Sequence, residues 1–433
     1  MDATVRVERY ADQGRCVGHI DGRVVFIRFA LPGELVTVSL DEPHNRDDRF
    51  WTGEVTEVLE ASPERVTPPW PLAGPLAMGG GVGGADLIHV SLPGQLAWKA
   101  SMVAEQMHRL GHVDVEVPVE RMPGDEALGG LHWRTRIEMM AGEDGLPSMH
   151  RRGTHVRVPL TTMPLATNAL LAVAEHTKVW EGGFKPGDQI RCAVPEPRSV
   201  DVSTPQTSSE EAWQAVDGNY AVLVNGKLHA GRNKLTERMS VDNKEFTYTV
   251  DARGFWQMHR MAPMALPQHV MGLVHEVLQG KPQATVWDLY SGSGLFTLPL
   301  ATLAAPSTRV LSVEGSKLAV SSAHTNIREA GLRDVIDARC GDVAKTLSRD
   351  VPRALGRPDV VVLDPPRAGA KAKVCQQIAQ SGAPAVIYIA CDATSLARDT
   401  ATLTKLGHSL ADIRAFDIYP MTHHVETVAL FRK

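Results

Sequence analysis

The C-terminal part of the chain alternates short β-branched apolar runs with amphipathic stretches, and this pattern restricts the fold more than any other feature. Thr285–Leu289, Arg309–Glu314, Val335–Arg339, Asp359–Asp364 and Val386–Ala390 read as strands. Residues 295–304, 316–330, 370–380 and 394–406 read as helices between them, and two last strands fall near 412–419 and 425–431. Strands that are apolar along their whole length are buried on both faces, and strand–helix alternation implies parallel pairing with right-handed crossovers. The expected architecture for 256–433 is therefore a doubly wound, Rossmann-like α/β domain. In such sheets ligands bind at the carboxyl ends of the strands, so the residues just past each strand are the first candidates for chemistry.

The rest of the chain differs. Residues 1–62 carry short alternating strands punctuated by Gly14, Gly18, Asp21-Gly22 and Pro32-Gly33, the pattern of a small β-barrel. Residues 63–92 are rich in proline and glycine, ending in Gly79-Gly80-Gly81-Val82-Gly83-Gly84, and are expected to form a flexible linker. No Lys-Ser/Thr follows the glycines, so this is not a phosphate-binding P-loop. Residues 93–255 are expected to be a mixed α/β unit, with a helix near 95–110 that can pack on the C-terminal domain. Two basic patches there, one with Arg134 and Arg136 beside Trp133, the other with Arg151 and Arg152, suit RNA phosphates and bases. Solvated basic loops are the competing reading.

Net charge is −5 over 433 residues, so nucleic-acid binding would have to come from local patches. Five widely spaced cysteines give neither a disulfide framework nor a paired zinc motif. A reducing cytoplasm fits this cysteine usage. No signal-peptide pattern and no run of about 18 apolar residues occurs, so no membrane span is expected.

Asp288-Leu289-Tyr290-Ser291-Gly292-Ser293-Gly294 is a strand followed by a glycine turn. It lacks the third glycine of the dinucleotide fingerprint. Glu314 lies 20 residues after Gly294, at the end of the next strand, where a carboxylate can accept from both ribose hydroxyls. Asp342 follows the third strand and can meet an adenine edge. Asp364-Pro365-Pro366-Arg367 ends the fourth strand in a stiff loop. An adenosyl ligand without pyrophosphate fits, and S-adenosylmethionine is the natural choice. Cys391 ends the fifth strand, and Glu426 starts the last one. A lone cysteine is more often a small buried hydrophobe. Together, however, a thiolate and a carboxylate around a methyl donor match one chemistry. Thiolate addition to carbon 6 of uracil makes carbon 5 nucleophilic, and a base then removes the carbon-5 proton.

These motifs resemble the class I RNA uracil-5-methyltransferases, the family of tRNA and 23S rRNA enzymes that form 5-methyluridine. The resemblance covers nearly the whole chain. Residues 1–62 resemble a TRAM domain, through Gly14-Arg15-Cys16-Val17-Gly18, Pro32-Gly33-Glu34 and Ser62-Pro63-Glu64-Arg65-Val66, which implies an RNA-binding barrel. Phe255-Trp256-Gln257 resembles the family's Phe-x-Gln motif and implies Gln257 as a cofactor and target contact. Tyr290, Glu314, Asp342 and Asp364 match cofactor positions, beside Gly292 and Gly294, whose turn lets the backbone approach a nucleotide-like ligand closely. Cys391-Asp392-Ala393-Thr394-Ser395-Leu396-Ala397-Arg398-Asp399 is similar to the nucleophile motif and implies Cys391 as nucleophile. His424-Val425-Glu426-Thr427 implies Glu426 as general base. The resemblance implies RNA, ribosomal or transfer, as partner, and a monomer is expected. Many members carry an iron–sulfur cluster on a Cys-x5-Cys-x2-Cys run. Trp70–Ala85 has no cysteine, so no cluster and no metal are expected. Asp392 replaces an asparagine, Leu295 a polar cofactor contact and His259 another asparagine. A chain that keeps the scaffold as a catalytically inactive RNA-binding protein or chaperone is the alternative.

Overall fold

The structure is a computed structural model that describes residues 2–42, 44–45, 48–197 and 207–433. Residues 2–60 form a six-stranded sheet. Asp2–Arg6 pairs with Leu35–Leu40, which pairs with Trp51–Glu60; Arg23–Arg28, Arg15–Ile20 and Arg9–Ala11 complete the order. The sheet curls until its first and third strands touch: a Cβ on Gly18 would collide with Val5. Alternating Val25, Ile27, Val36 and Val38 fill its interior.

A second six-stranded antiparallel sheet lies in the middle of the chain. Its order is Arg157–Pro159, Pro147–His150, Arg136–Ala141, Gln189–Ala193, Ala221–Val224 and Lys227–Gly231. The proline- and glycine-rich segment 63–92 has no long helix or strand, in keeping with its composition, yet it is not a flexible linker. Trp70, Ala73, Val82, Ala85, Leu87, Ile88 and Val90 are buried in one core with the barrel and the central sheet. Arg65 ties its start to the barrel, donating Nε to Glu34 Oε1 at 2.6 Å. Composition predicted irregular backbone correctly; it carried no information about the apolar residues between the prolines finding a core.

The C-terminal sheet has eight strands. Their order is Ile336–Cys340, Ser307–Glu314, Gln283–Leu289, Val360–Leu363, Ala385–Ala390, Glu426–Arg432, Ser409–Asp417 and Val119–Arg121. The first five are parallel, and Glu426–Arg432 runs antiparallel to both its neighbours. Alternate residues serve two cores. Val286, Val360, Ile387 and Ile389 face the helix Ala262–Val277 and the hairpin 234–251. Trp287, Val361, Val386 and Tyr388 face Lys371–Ser381, Ala393–Lys405 and the helix Leu92–Gln106. Three parts of 93–255 thus lie against the C-terminal sheet: this helix, the strand Val119–Arg121 and the hairpin. The helix starts at Leu92, earlier than its periodicity suggests, because Ser91 accepts from Gly94 N and Pro93 sits in the first turn. Among the described residues no helix is long and apolar enough to cross a membrane.

Candidate active site

A cleft of about 840 Å³ opens at the carboxyl edge of the C-terminal sheet. Its first wall is the turn after Gln283–Leu289. Tyr290 holds the left-handed region at φ 62° and Gly292 follows at 56°. A tyrosine there is strained, and such strain persists where the surroundings enforce it, often at functional sites. Glu314 reaches across from the next strand and accepts from Gly292 N at 3.1 Å and Ser316 N at 2.5 Å. Asp342 caps the helix Val343–Arg349, accepting from Lys345 N at 2.9 Å. Asp288 lies beneath the turn, where Thr297 Oγ1 donates to it at 2.5 Å. Burial, with repulsion from Glu314, pushes its carboxyl up to about 7 even though the Thr297 bond opposes this. Asp364, held out by Pro365-Pro366, is raised too, by burial first and then by Asp288 and Glu314.

The second wall carries Cys391 and Glu426. The strands Ala385–Ala390 and Glu426–Arg432 are antiparallel, with Ala390 opposite Thr427. Cys391 directly follows the first strand and Glu426 begins the second, and both line the cleft at this end of the pair. Glu426 is 3 % exposed and its Oε1 has no hydrogen-bond partner. Burial raises this carboxyl well above its usual range, and Asp364 adds to the effect. The Cys391 thiol is pushed up to about 12 by burial, then by Glu426 and Asp364; Arg367 opposes this, and Asp392 contributes least. Asp392 instead caps the helix Ala393–Lys405, accepting from Ser395 N at 2.7 Å. Asp and Asn serve equally well as N-caps, so this replacement keeps the local structure.

Gln257, Tyr290, Gly292, Glu314, Asp342, Asp364, Cys391, Glu426 and Arg134 all line this one cleft. Gln257 Oε1 is a further buried acceptor with no partner. Gly294 lies behind the turn, closing it with a bond from its N to Ser291 O at 2.9 Å. The other arginines lie elsewhere. Arg136 is buried and donates to Glu237 at 2.5 Å. Arg152 donates to the carbonyls of Ala73, Val82 and Gly74 and stacks on Phe29. Both guanidinium groups are occupied inside the protein, a correction to their expected RNA contacts, since a basic run in sequence does not reveal which of its members are buried. Arg151 is exposed.

Sequence reasoning missed several participants. Asp86, from the glycine-rich segment, lines the cleft and accepts from His423 N at 2.8 Å and Nδ1 at 2.6 Å. Asp399 latches the loop after Asp364, accepting from Ala370 N, Lys371 N and Tyr388 Oη at 2.8, 3.1 and 2.7 Å. His424 Nε2 lies 3.3 Å from Arg367 Nη2. Burial lowers the imidazole to about 4, so it is neutral and accepts this bond. Asp399, His424 and Arg367 lay within motifs the sequence showed, but those motifs gave them no role, and nothing local pointed to Asp86.

A profile described as tRNA (Uracil-5-)-methyltransferase matches residues 222–433, and a TRAM domain profile matches 3–47. An uncharacterized RNA methyltransferase of Bifidobacterium longum is 67 % identical over 433 residues, 100 % of this chain and 97 % of that one. The 23S rRNA (uracil(1939)-C(5))-methyltransferase RlmD of Methylococcus capsulatus is 30 % identical over 99 % of this chain and 96 % of its own. This chain belongs to the RNA uracil-5-methyltransferase family. The crystal structure of the Pyrococcus abyssi tRNA (uracil-54, C5)-methyltransferase, in complex with S-adenosyl-L-homocysteine, shares the fold at TM-score 0.66 and 18 % identity, covering 99 % of this chain and 100 % of that one.

As a member of this uracil-5-methyltransferase family the chain uses S-adenosylmethionine, and its residues fit that cofactor. Glu314 and Asp342 line the cleft as carboxylate acceptors able to meet an adenosyl group, and Gln257 Oε1 is buried without a partner. The desolvated carboxyls of Asp364 and Glu426 in the cleft lining, with Asp288 beneath the turn, make a region short of positive charge, which a sulfonium supplies. The family's asparagine is replaced by His259 without loss of structure. His259 Nδ1 accepts from Met261 N at 3.0 Å, so Nε2 carries the proton and donates to Asp125 at 2.9 Å. The ring stacks on Trp133, which lines the cleft. Leu295 also lines the cleft, and its carbonyl accepts from Tyr248 Oη at 3.0 Å.

Proposed function

We propose that this chain methylates carbon 5 of a uridine in structured RNA, ribosomal or transfer, with Cys391 as nucleophile and Glu426 as general base. What supports this reading is that Cys391 directly follows one strand and Glu426 begins its antiparallel neighbour, both lining one cleft, with Glu426 Oε1 buried and unpartnered. S-adenosylmethionine supplies an electrophilic methyl group on a positively charged sulfur. The target base must leave its stack to reach a cleft of this depth. A positive charge beside Cys391 and Glu426 brings both pKa values down, so the thiolate forms when the site is loaded. The thiolate bonds to carbon 6, and the electron pair released onto carbon 5 takes the methyl group. The positive charge is then gone. Glu426 returns to the high proton affinity that burial and Asp364 give it, which favours its taking the carbon-5 proton. The C5–H electrons form the C5=C6 double bond, the C6–S bond breaks, and Cys391 leaves as thiolate.

The packed apolar segment around Trp70, Ala73, Val82 and Ala85 supports a reaction that proceeds without an iron–sulfur cluster. The barrel and exposed Arg151 are proposed to hold RNA phosphates, and the protein is proposed to act as a cytoplasmic monomer.

The test uses purified protein, methyl-labelled donor, and RNA from a strain lacking this chain. Labelled 5-methyluridine is expected in the digest, and none with Cys391→Ala. Label at another atom, or none with the intact protein, would contradict the proposal.

A further inference from the structure

The loop 419–424, which delivers Glu426 to the cleft, has little regular structure of its own. Met421 sits in it at φ 65°, an unfavourable conformation for a side chain of this size. What holds the loop is a segment more than 300 residues earlier. Leu87 N donates to Met421 O at 2.9 Å. Gln95 Oε1 accepts from Met421 N at 2.8 Å. Lys99, fully buried and paired with Asp417, donates to Tyr419 O at 2.9 Å. Asp86 Oδ2 closes the grip on both the backbone and the ring of His423, three residues before Glu426. The barrel also abuts this carboxylate: a Cβ on Gly14 would lie 2.6 Å from Asp86 Oδ2.

We propose that Asp86 is a positioning residue for the general base: by accepting two bonds from His423 it fixes the path of the loop and thereby the aim of the Glu426 carboxylate at the carbon-5 proton. Three of the four attachments end on the backbone of Tyr419 or Met421. Asp86 holds His423 by two bonds, and the part of the loop nearest Glu426 has a further contact, from Arg367 Nη2 to the ring of His424. Asp86 makes no hydrogen bond to Cys391, Asp364 or the turn Tyr290–Gly294 among the described residues, so its loss leaves thiolate addition and methyl transfer standing. A base displaced by about 1 Å loses about 10²-fold in rate, and the loss should fall on proton removal and release of Cys391. The inference rests on the nucleophile and base roles proposed above.

The experiment measures each step on RNA with ordinary uridine. Single-turnover methyl transfer is followed with labelled donor, and release is followed as the decay of the denaturant-stable, methylated RNA–protein adduct. For Asp86→Ala, transfer within about threefold of wild type is expected, with release slowed at least about tenfold and the adduct accumulating. Asp86→Asn keeps an acceptor oxygen at the same place and is expected to restore release to within about threefold. His423→Phe removes only the ring bond and gives a second reading if Asp86→Ala fails to fold; release slowed by about threefold is expected. Unchanged release in His423→Phe, equal slowing of transfer and release in Asp86→Ala, or a rise in KM for RNA alone would overturn the inference. Failure of the intact protein to form any methylated adduct or 5-methyluridine would instead overturn the proposed reaction, and the inference with it.

Discussion

Asp288, Asp364 and Glu426 hold their protons more tightly than ordinary carboxyls because each is buried and lies near other carboxylates, Glu314 for Asp288, Asp288 and Glu314 for Asp364, and Asp364 for Glu426. The consequence for stability has a definite sign. An unfolded chain releases the Asp288 proton near the ordinary aspartate value, while the folded, unliganded protein keeps it up to about 7. The stability this group contributes is therefore present below the unfolded pKa and is lost as pH rises toward 7. A bound sulfonium offsets the loss, and its neutral thioether counterpart does not. The rise in melting temperature given by S-adenosylmethionine is thus expected to be larger at about pH 8 than at about pH 5.5, with a smaller difference for S-adenosylhomocysteine. Equal pH dependence for the two ligands, by thermal unfolding, would contradict this electrostatic reading of these carboxyls. The same residues show what sequence can convey. Cys391 and Glu426 are individually ambiguous, and the motifs around them gave their candidate roles. That the two come to one end of a strand pair, with Glu426 Oε1 unpartnered, follows only from the folded structure.

The loop after Asp364 illustrates the scale of elements. Pro365-Pro366 stiffens its start, but its end is fixed from a different helix. Asp399, nearly two turns into Ala393–Lys405, accepts two backbone N–H groups and the Tyr388 hydroxyl, and a Cβ on Gly369 would lie 2.7 Å from its Oδ2. Removing a buried acceptor strands its donors, at about 1–3 kcal/mol each. Asp399→Ala is expected to lower unfolding free energy by about 3 kcal/mol in urea titration and to weaken donor binding, because the Asp364 loop loses its anchor. Stability within about 0.5 kcal/mol of wild type would show that the latch is not formed. The strands of this domain and the helices between them were legible because buried parallel strands are continuously apolar, and amphipathic helices carry their own period; the 16-residue helix Ala262–Val277, which carries Pro263 and Pro267, was not legible. The short helix Val343–Arg349 was not either, since two turns carry little periodic signal. Nor was the three-residue strand Val119–Arg121, whose place depends on pairing with Ser409–Asp417.

Across the whole molecule, the stretch hardest to read from sequence, 63–92, joins everything else. Its composition forbids regular structure, and nothing local shows that Trp70 and Val82 complete a core with the barrel or that Asp86 reaches His423, 337 positions later. Contacts of that separation have no period and no motif; they exist only once three folded units are assembled. The same limit applies to the arginines. Arg136 and Arg151 look alike in the chain, and only assembly makes one an internal ion pair with Glu237 and leaves the other at the surface. The account as a whole rests on the covalent role of Cys391. RNA carrying 5-fluorouridine tests it most directly, because the fluorine at carbon 5 cannot be removed as a proton. With S-adenosylmethionine present, a denaturant-stable complex of one protein and one methylated RNA is expected, mapping by mass spectrometry to Cys391 and absent in Cys391→Ala. A stable complex mapping to another residue, or surviving in Cys391→Ala, would contradict the account.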